Sequence, residues 1–415
     1  MSYFRGTFQR SGSHGAVWSW LLGIVLSVLA QGPAGADDTT DNSLTLRGFG
    51  TLGLARSTTD NAEFVRDLSQ PGGISKEWSS KIDSLLGVQA NFQFAAPVEA
   101  VAQIVSRYHY DDSHQPELMW GFLKFDPNAS LDLRLGRLGT EFYMLSDSRL
   151  VGYSYVTVRP SNDYFGGLPF SYFDGADALL TLPMGDGLVR GKIMAGWARE
   201  KVPSGDLQFD LDHSLMLGGY LDYQMDSWQW RLGYSQLHFH NEMPIAPLLQ
   251  ALRSYGFFSV AEGISTADKL MKYYSVGAVY DKGPLEVQLM LNQVRYESVF
   301  LENYHAGYLL GTYRIGQFSP FAGISWVKSS PKSSGTGLTP TNPLEEALLT
   351  RMRDSHSDQH TFTLGTRWDF HKNLACKAQW DAIRGKPDSI FPYRWETANW
   401  SGHMNVFSLT LDFVF

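Results

Sequence analysis

The stretch 405–415, NVFSLTLDFVF, alternates without a break. Phe407, Leu409, Leu411, Phe413 and Phe415 are apolar, and Ser408, Thr410 and Asp412 fall between them. Period two is the spacing of a strand whose faces meet two different surroundings. The same period returns through the chain in about sixteen segments, among them 43–55, 80–94, 131–137, 208–224 and 374–383. A chain built this way must form sheet.

The connections decide what kind of sheet. Short turns such as 95–97, 225–227 and 371–373 alternate with long loops such as 56–79, 138–172, 241–268 and 329–358. All long loops then lie at one end, with both termini at the other. Aromatics cluster beside the short turns: Phe92 and Phe94, Trp228 and Trp230, Trp368 and Phe370. Rings at one level on many strands form an interfacial girdle. The expectation is a transmembrane antiparallel up-and-down β-barrel of about sixteen strands, with short periplasmic turns and long external loops. A barrel this wide holds water, so the opposite parity should be polar. Lys81, Arg107, Arg190, Lys192, Asp210, Asp212, Arg231, Arg367 and Lys377 fall on that parity.

The first residues read as an address. Arg5 and Arg10 precede an apolar run over 17–30, and Ala34-Gly35-Ala36 follows as a small-x-small cleavage site. Residues 1–36 are expected to be a signal peptide and 37–415 a single barrel domain. The formal net charge of −8 excludes a nucleic-acid binder, and the single cysteine, Cys376, excludes an internal disulfide.

Other motifs are weak. Gly48-Phe49-Gly50-Thr51-Leu52-Gly53 matches a dinucleotide-binding loop, but it lies inside one alternating strand with no helix after it. His238 and His240 share a strand face with no third ligand placeable, so neither metal nor cofactor is expected. Neither a G-x-S-x-G nor an H-E-x-x-H motif occurs.

Leu133-Arg134-Leu135-Gly136-Arg137, residues 363–370 (TLGTRWDF), residues 374–381 (LACKAQWD) and the terminal Leu411-Asp412-Phe413-Val414-Phe415 carry a family likeness. Through them the chain resembles the Gram-negative general porin superfamily over essentially all of residues 37–415. The resemblance implies a homotrimer in outer-membrane lipid and lipopolysaccharide. It also implies recognition of Phe415 by the barrel-assembly machinery and passive diffusion of small hydrophilic solutes. Its third external loop, here 138–172, would fold into the pore as the constriction. That loop offers Glu141, Asp147, Arg149, Arg159, Asp163, Tyr164 and Phe165. Asp163-Tyr164-Phe165-Gly166-Gly167 is similar to the porin Pro-Glu-Phe-Gly-Gly, with Tyr164 where the family has glutamate.

Facing the loop, the wall candidates are Lys81, Arg107, Arg134, Arg137, Arg190, Lys192, Arg231, Arg367 and Lys377. Strict alternation turns Arg134 inward, whereas the family's Gly-Arg motif favours Arg137; a bulge at Gly136 would reconcile them. Carboxylates opposite arginines across a throat would set up a transverse field. Two external loops also carry helical signals: Ile245, Leu248, Leu249 and Leu252 in 241–268, and an Asn342-Pro343 cap before Leu344, Leu348 and Met352 in 329–358. Two rival readings stay open, an outer-membrane barrel enzyme (lipase or protease) and a barrel whose loops serve adhesion.

Overall fold

The computed structural model describes residues 43–415 apart from Pro169 and Phe391; the expected signal peptide lies outside them. Seven strands precede the first small hairpin: β1 Ser43–Ser57, β2 Leu85–Ala95, β3 Val98–Arg107, β4 Pro116–Asn128, β5 Leu131–Gly139, β6 Tyr172–Met184 and β7 Gly187–Trp197. The hairpin is β8 Lys201–Ser204 with β9 Leu207–Asp210. Then come β10 Leu215–Met225, β11 Trp228–His238, β12 Leu270–Lys282, β13 Leu285–Tyr296 and β14 Asn303–Tyr313. The last four are β15 Phe318–Ser330, β16 Asp358–His371, β17 Leu374–Gly385 and β18 His403–Val414.

All but β8 and β9 join one closed antiparallel barrel, each strand beside its neighbour in the chain, with β7 pairing β10 across the hairpin. The seam is β1 against β18, Leu52 opposite Leu411 and Thr51 opposite Asp412. Closure leaves no strand edge, which hydrocarbon surroundings demand of any spanning sheet.

Period two sorts the side chains as anticipated on the outer face. Leu46, Leu135 and Ile193 are 64%, 65% and 70% exposed, whereas Thr51 and Asp412 are buried and joined by a 2.5 Å hydrogen bond. A leucine band open on many neighbouring strands is stable against lipid tails, not against water. The girdle forms beside the short turns: Trp228 stacks on Trp230 and meets Tyr280, and Phe318 stacks on Trp368.

Three expectations need correction. The segment 80–94 pairs only from Leu85, so Lys81 stands in the β1–β2 connection rather than on the wall. The segment 208–224 is broken: the Asp212 amide donates to the Asp210 carboxylate and His213 takes φ +62°. An aspartate that satisfies its own backbone two residues on ends the ladder. Asp210 and Asp212 therefore lie in the β7–β10 loop, and the barrel strand starts at Leu215. The inner face is also not polar throughout. Met194, Met216, Leu237, Met271, Tyr273 and Met290 point inward and are buried, because a loop is packed on them.

The helical signals in the long loops correspond to helices α2 Ala246–Ser254 and α4 Pro343–Arg353, which follow a short α1, Asn162–Phe165, inside the β5–β6 loop; α3 is Phe258–Ile264. Asn342 caps α4 through the Leu344 amide at 2.9 Å. Leu249, Leu252, Ile264, Leu348 and Met352 form one apolar cluster, so the two loops pack on each other.

Candidate functional site: the loop inside the barrel

The β5–β6 loop leaves and rejoins the wall at a single point. Thr140 donates its amide to the Ser171 carbonyl at 3.1 Å and its hydroxyl to the Phe170 carbonyl at 3.0 Å. Between these ends the chain crosses the interior, where each backbone polar group needs a partner. The wall supplies many. The carbonyls of Phe142, Tyr143 and Tyr164 accept from Ser275, Arg231 and Asn292, on β12, β11 and β13. On the other side Arg367 donates to the carbonyls of Tyr153 and Tyr155, Lys377 to those of Gly152 and Thr157, and Gln379 accepts from the Val158 amide. Gly152 sits against the seam so closely that a Cβ there would be 2.2 Å from Asp412 Oδ1 and 2.4 Å from Thr51 Oγ1.

Charge is concentrated at two anchors. Near the loop's start, Glu141 accepts from Arg134 (3.0 Å), Lys192 and the Tyr220 hydroxyl (3.0 Å), and Asp177 also meets both bases. Burial would raise the Glu141 carboxyl, but Lys192 and Arg134 outweigh it and hold it down at about 2. Beside them Arg231 pairs with Asp222 and lies 3.7 Å over the Tyr220 ring, with Arg190 3.5 Å from the same carboxylate. At the far side Arg159 bonds Asp83, Asp381 and Ser408.

The remaining expected loop residues take varied places. Asp147 is exposed. Arg149 donates to the Tyr143 hydroxyl and to Ser171. Asp163 is buried and accepts from Ser325 and Gln359, both at 2.7 Å. Tyr164 and Phe165 belong to a ring cluster with Tyr143 and Tyr308.

Arg134 and Arg137 part company. Register runs unbroken from Leu133 to Arg137, so no bulge occurs at Gly136, and Arg137 keeps the parity of the outward Leu133 and Leu135. It pairs with Asp174, which also meets Arg199. Gly136 instead has φ +136°, and a Cβ there would lie 2.3 Å from the Gly121 carbonyl. Lys81 pairs with Asp112 over the Tyr108 ring, away from the other wall bases. Arg107 bonds Ser69 and Ser171, and its Nε has no partner.

A second infolded segment, in which Lys81 is the sole sequence-based candidate, was not expected to enter the barrel. The β1–β2 connection packs on the β5–β6 loop: Leu68 donates to the Gly166 carbonyl, Arg66 to that of Arg149, and Asn162 to those of Val65 and Arg66. The connection is polar and aperiodic, so only the unexplained density of Arg66, Asp67 and Asp83 hints at an interior role.

Two cavities flank these loops. One, of about 520 Å3, lies between the β5–β6 loop and the wall from β13 to β17, with Arg149, Arg159, Glu286, Arg314, Arg367 and Asp381 on its surface. The other, of about 410 Å3, is bounded by external-loop residues together with Leu68, Gly167 and Phe170 of the infolded segments and Met271, Tyr296 and Tyr304 of the wall.

A Ser-His-acid grouping lies at the outer rim. Ser329 donates to Glu302 and lies 3.2 Å from His356 Nδ1, while Glu302 meets that same Nδ1 at 2.8 Å. A nucleophile and an orienting acid need opposite ring nitrogens, and here they compete for one. Ser329 is moreover buried. Among the described residues no three metal-ligating side chains converge, and the His240 ring has His213 beside it at 5.8 Å.

No family model matches the sequence, and no curated protein matches it. Solved structures do. OmpF of Salmonella typhi, in a complex with daunomycin, is 12% identical over 91% of this chain and 98% of that one, with a TM-score of 0.55. The outer membrane channel DcaP of Acinetobacter baumannii is 11% identical over 92% and 100%, TM-score 0.55. An anion-selective porin from Comamonas acidovorans is 12% identical over 90% and 100%, TM-score 0.53. At this identity the likeness establishes the fold: a closed, sixteen-stranded porin-type barrel.

Proposed function

We propose that the protein is a passive outer-membrane channel for small hydrophilic solutes, with the β5–β6 loop as its constriction. One observation carries the reading: that loop spans the barrel interior and leaves beside it a 520 Å3 cavity to which loop and wall both contribute charged groups, Arg149 and Arg159 from the one and Glu286, Arg367 and Asp381 from the other. Fixed charges on both sides of a narrow aqueous space select solutes by sign and size. On this reading Glu141 with Arg134, Lys192 and Arg231 sets the field on one side of the constriction, and Arg159 with Asp381 on the other.

The channel and porin neighbours named above support the same reading. We further propose a homotrimer, held in outer-membrane lipid beneath lipopolysaccharide and delivered by the barrel-assembly machinery through Phe415. The protein is read as a non-enzyme. What supports this is the geometry at Ser329, where hydroxyl and acid share one imidazole nitrogen. Liposome swelling tests the proposal. Vesicles carrying the protein should swell in arabinose and progressively less in larger saccharides; equal behaviour with and without protein would refute it.

A further inference from the structure

The infolded loop returns to the wall at Ser171, and a residue from outside the loop holds it there. Glu200 stands in the β7–β8 connection, beyond the spanning strands, and is only 6% exposed. Its Oε2 accepts from the Ser171 amide at 2.6 Å and from the Tyr172 amide at 3.4 Å. Its backbone is fixed in turn. The Glu200 carbonyl accepts from the Leu211 amide at 3.0 Å, and the Ala198 amide donates to the Ser214 carbonyl at 2.9 Å. A braced connection thus grips the end of the loop through one carboxyl group.

The surroundings suit that group better neutral than charged. From β4, Glu117 accepts from the Tyr172 hydroxyl at 2.7 Å, which sets a second acid near the first. Arg107 from β3 and Arg149 from the loop also face the site. The hydrogen bonds they make go to Ser69, Ser171 and Tyr143 instead. Asp67 of the β1–β2 connection draws on the same two guanidinium groups. On Glu200's own segment, Arg199 pairs with Asp174 and Asp212, and Lys201 lies 3.8 Å from Asp210.

Among the described residues no base forms an ion pair with Glu200. A carboxylate buried in this way is costly when ionised. Burial and Glu117 push the Glu200 carboxyl up to about 7, against the pull of the Ser171 amide, Arg107 and Arg149.

We propose that Glu200 is the positioning residue of the constriction loop, a latch that holds its return at Ser171 while neutral and slackens once ionised. The proposal rests on the reading of the β5–β6 loop as the constriction. A carboxyl that binds its proton more tightly when latched than when released to water latches less well as pH rises. The hold is full below the ordinary carboxylate range and is lost progressively up to about pH 7.

Hydrogen exchange of the Ser171 and Tyr172 amides tests this, read by mass spectrometry on the full-length mature protein in lipid nanodiscs. Rates are corrected for the intrinsic pH dependence of exchange. Wild-type protection should fall about tenfold or more between about pH 5 and about pH 8. Glu200→Gln keeps the acceptor oxygen and cannot ionise, so its protection should stay high and nearly flat over that range. A merely structural residue would lower protection without removing its pH dependence. Equal wild-type protection at the two pH values would overturn the proposal, as would a Glu200→Gln profile that falls like the wild type's. If Glu200→Gln does not fold, Glu117→Gln decides. With the neighbouring charge gone the fall should shrink several-fold, and an undiminished fall counts against the latch. Exchange reports the latch whether or not the barrel conducts. A barrel that shows the switch and passes no current refutes the channel and leaves the latch standing.

Discussion

Arg159 reaches from the infolded loop to Asp83 through two hydrogen bonds, 2.9 Å from Nε and 2.5 Å from Nη2, with both side chains no more than 2% exposed. The same guanidinium holds Asp381 on β17 and Ser408 on β18. One residue thus ties the β5–β6 loop to the β1–β2 connection and to the strands beside the seam.

Removing that tie should free the loop. Arg159→Met leaves Asp83 and Asp381 buried without their shared cation, a loss of about 3–5 kcal/mol. The expected results are a lower temperature for loss of the folded band on unboiled gels, and noisier single-channel currents of larger mean conductance. Unchanged noise and stability would show that the anchor is not holding the loop.

Glu141 provides the electrostatic test. Glu141→Gln keeps the shape and the acceptor oxygen but leaves Arg134 and Lys192 with only Asp177 between them. The local charge becomes more positive, so the zero-current potential across a salt gradient should move toward anion preference. The step size should change little. A shift toward cations would contradict the assignment of Glu141 to the conducting throat.

Two glycines with positive φ should respond very differently. At Gly136 a Cβ would meet the Gly121 carbonyl at 2.3 Å and the Phe122 Cα at 2.8 Å, so Gly136→Ala should abolish the heat-modifiable folded band. At Gly185, in a short turn at φ +59°, nothing lies within 4 Å of the new atom. Gly185→Ala should cost only about 1–2 kcal/mol of left-handed strain and still fold.

How much of this was legible beforehand varies by element, for physical reasons. Alternation marks strands well because lipid enforces it on every second residue, and it correctly turned Arg134 inward and Arg137 away. The Asn342 cap was readable because its signal is local. The break at Asp210–Asp212 was missed because an aspartate bonding its own backbone looks, in sequence, like one more polar position. The apolar inner patch at Met216, Met271 and Met290 was hidden for a different reason. It exists to receive a loop, and loop packing leaves no period. Arg66 was invisible as an interior group on the same ground, whereas Asp83 fell on the polar parity of 80–94.

The rim grouping offers a check against catalysis. Ser329→Ala should leave single-channel conductance unchanged, and neither form should hydrolyse p-nitrophenyl esters or phospholipid. A hydrolytic activity lost in the variant would favour the enzyme reading.

Single-channel recording in a planar lipid bilayer, with purified folded protein and symmetric salt, tests the central claim most directly. The account predicts discrete, reproducible conductance steps that become larger and noisier in Arg159→Met. A folded, heat-modifiable wild-type barrel that inserts into the bilayer and passes no current would contradict it.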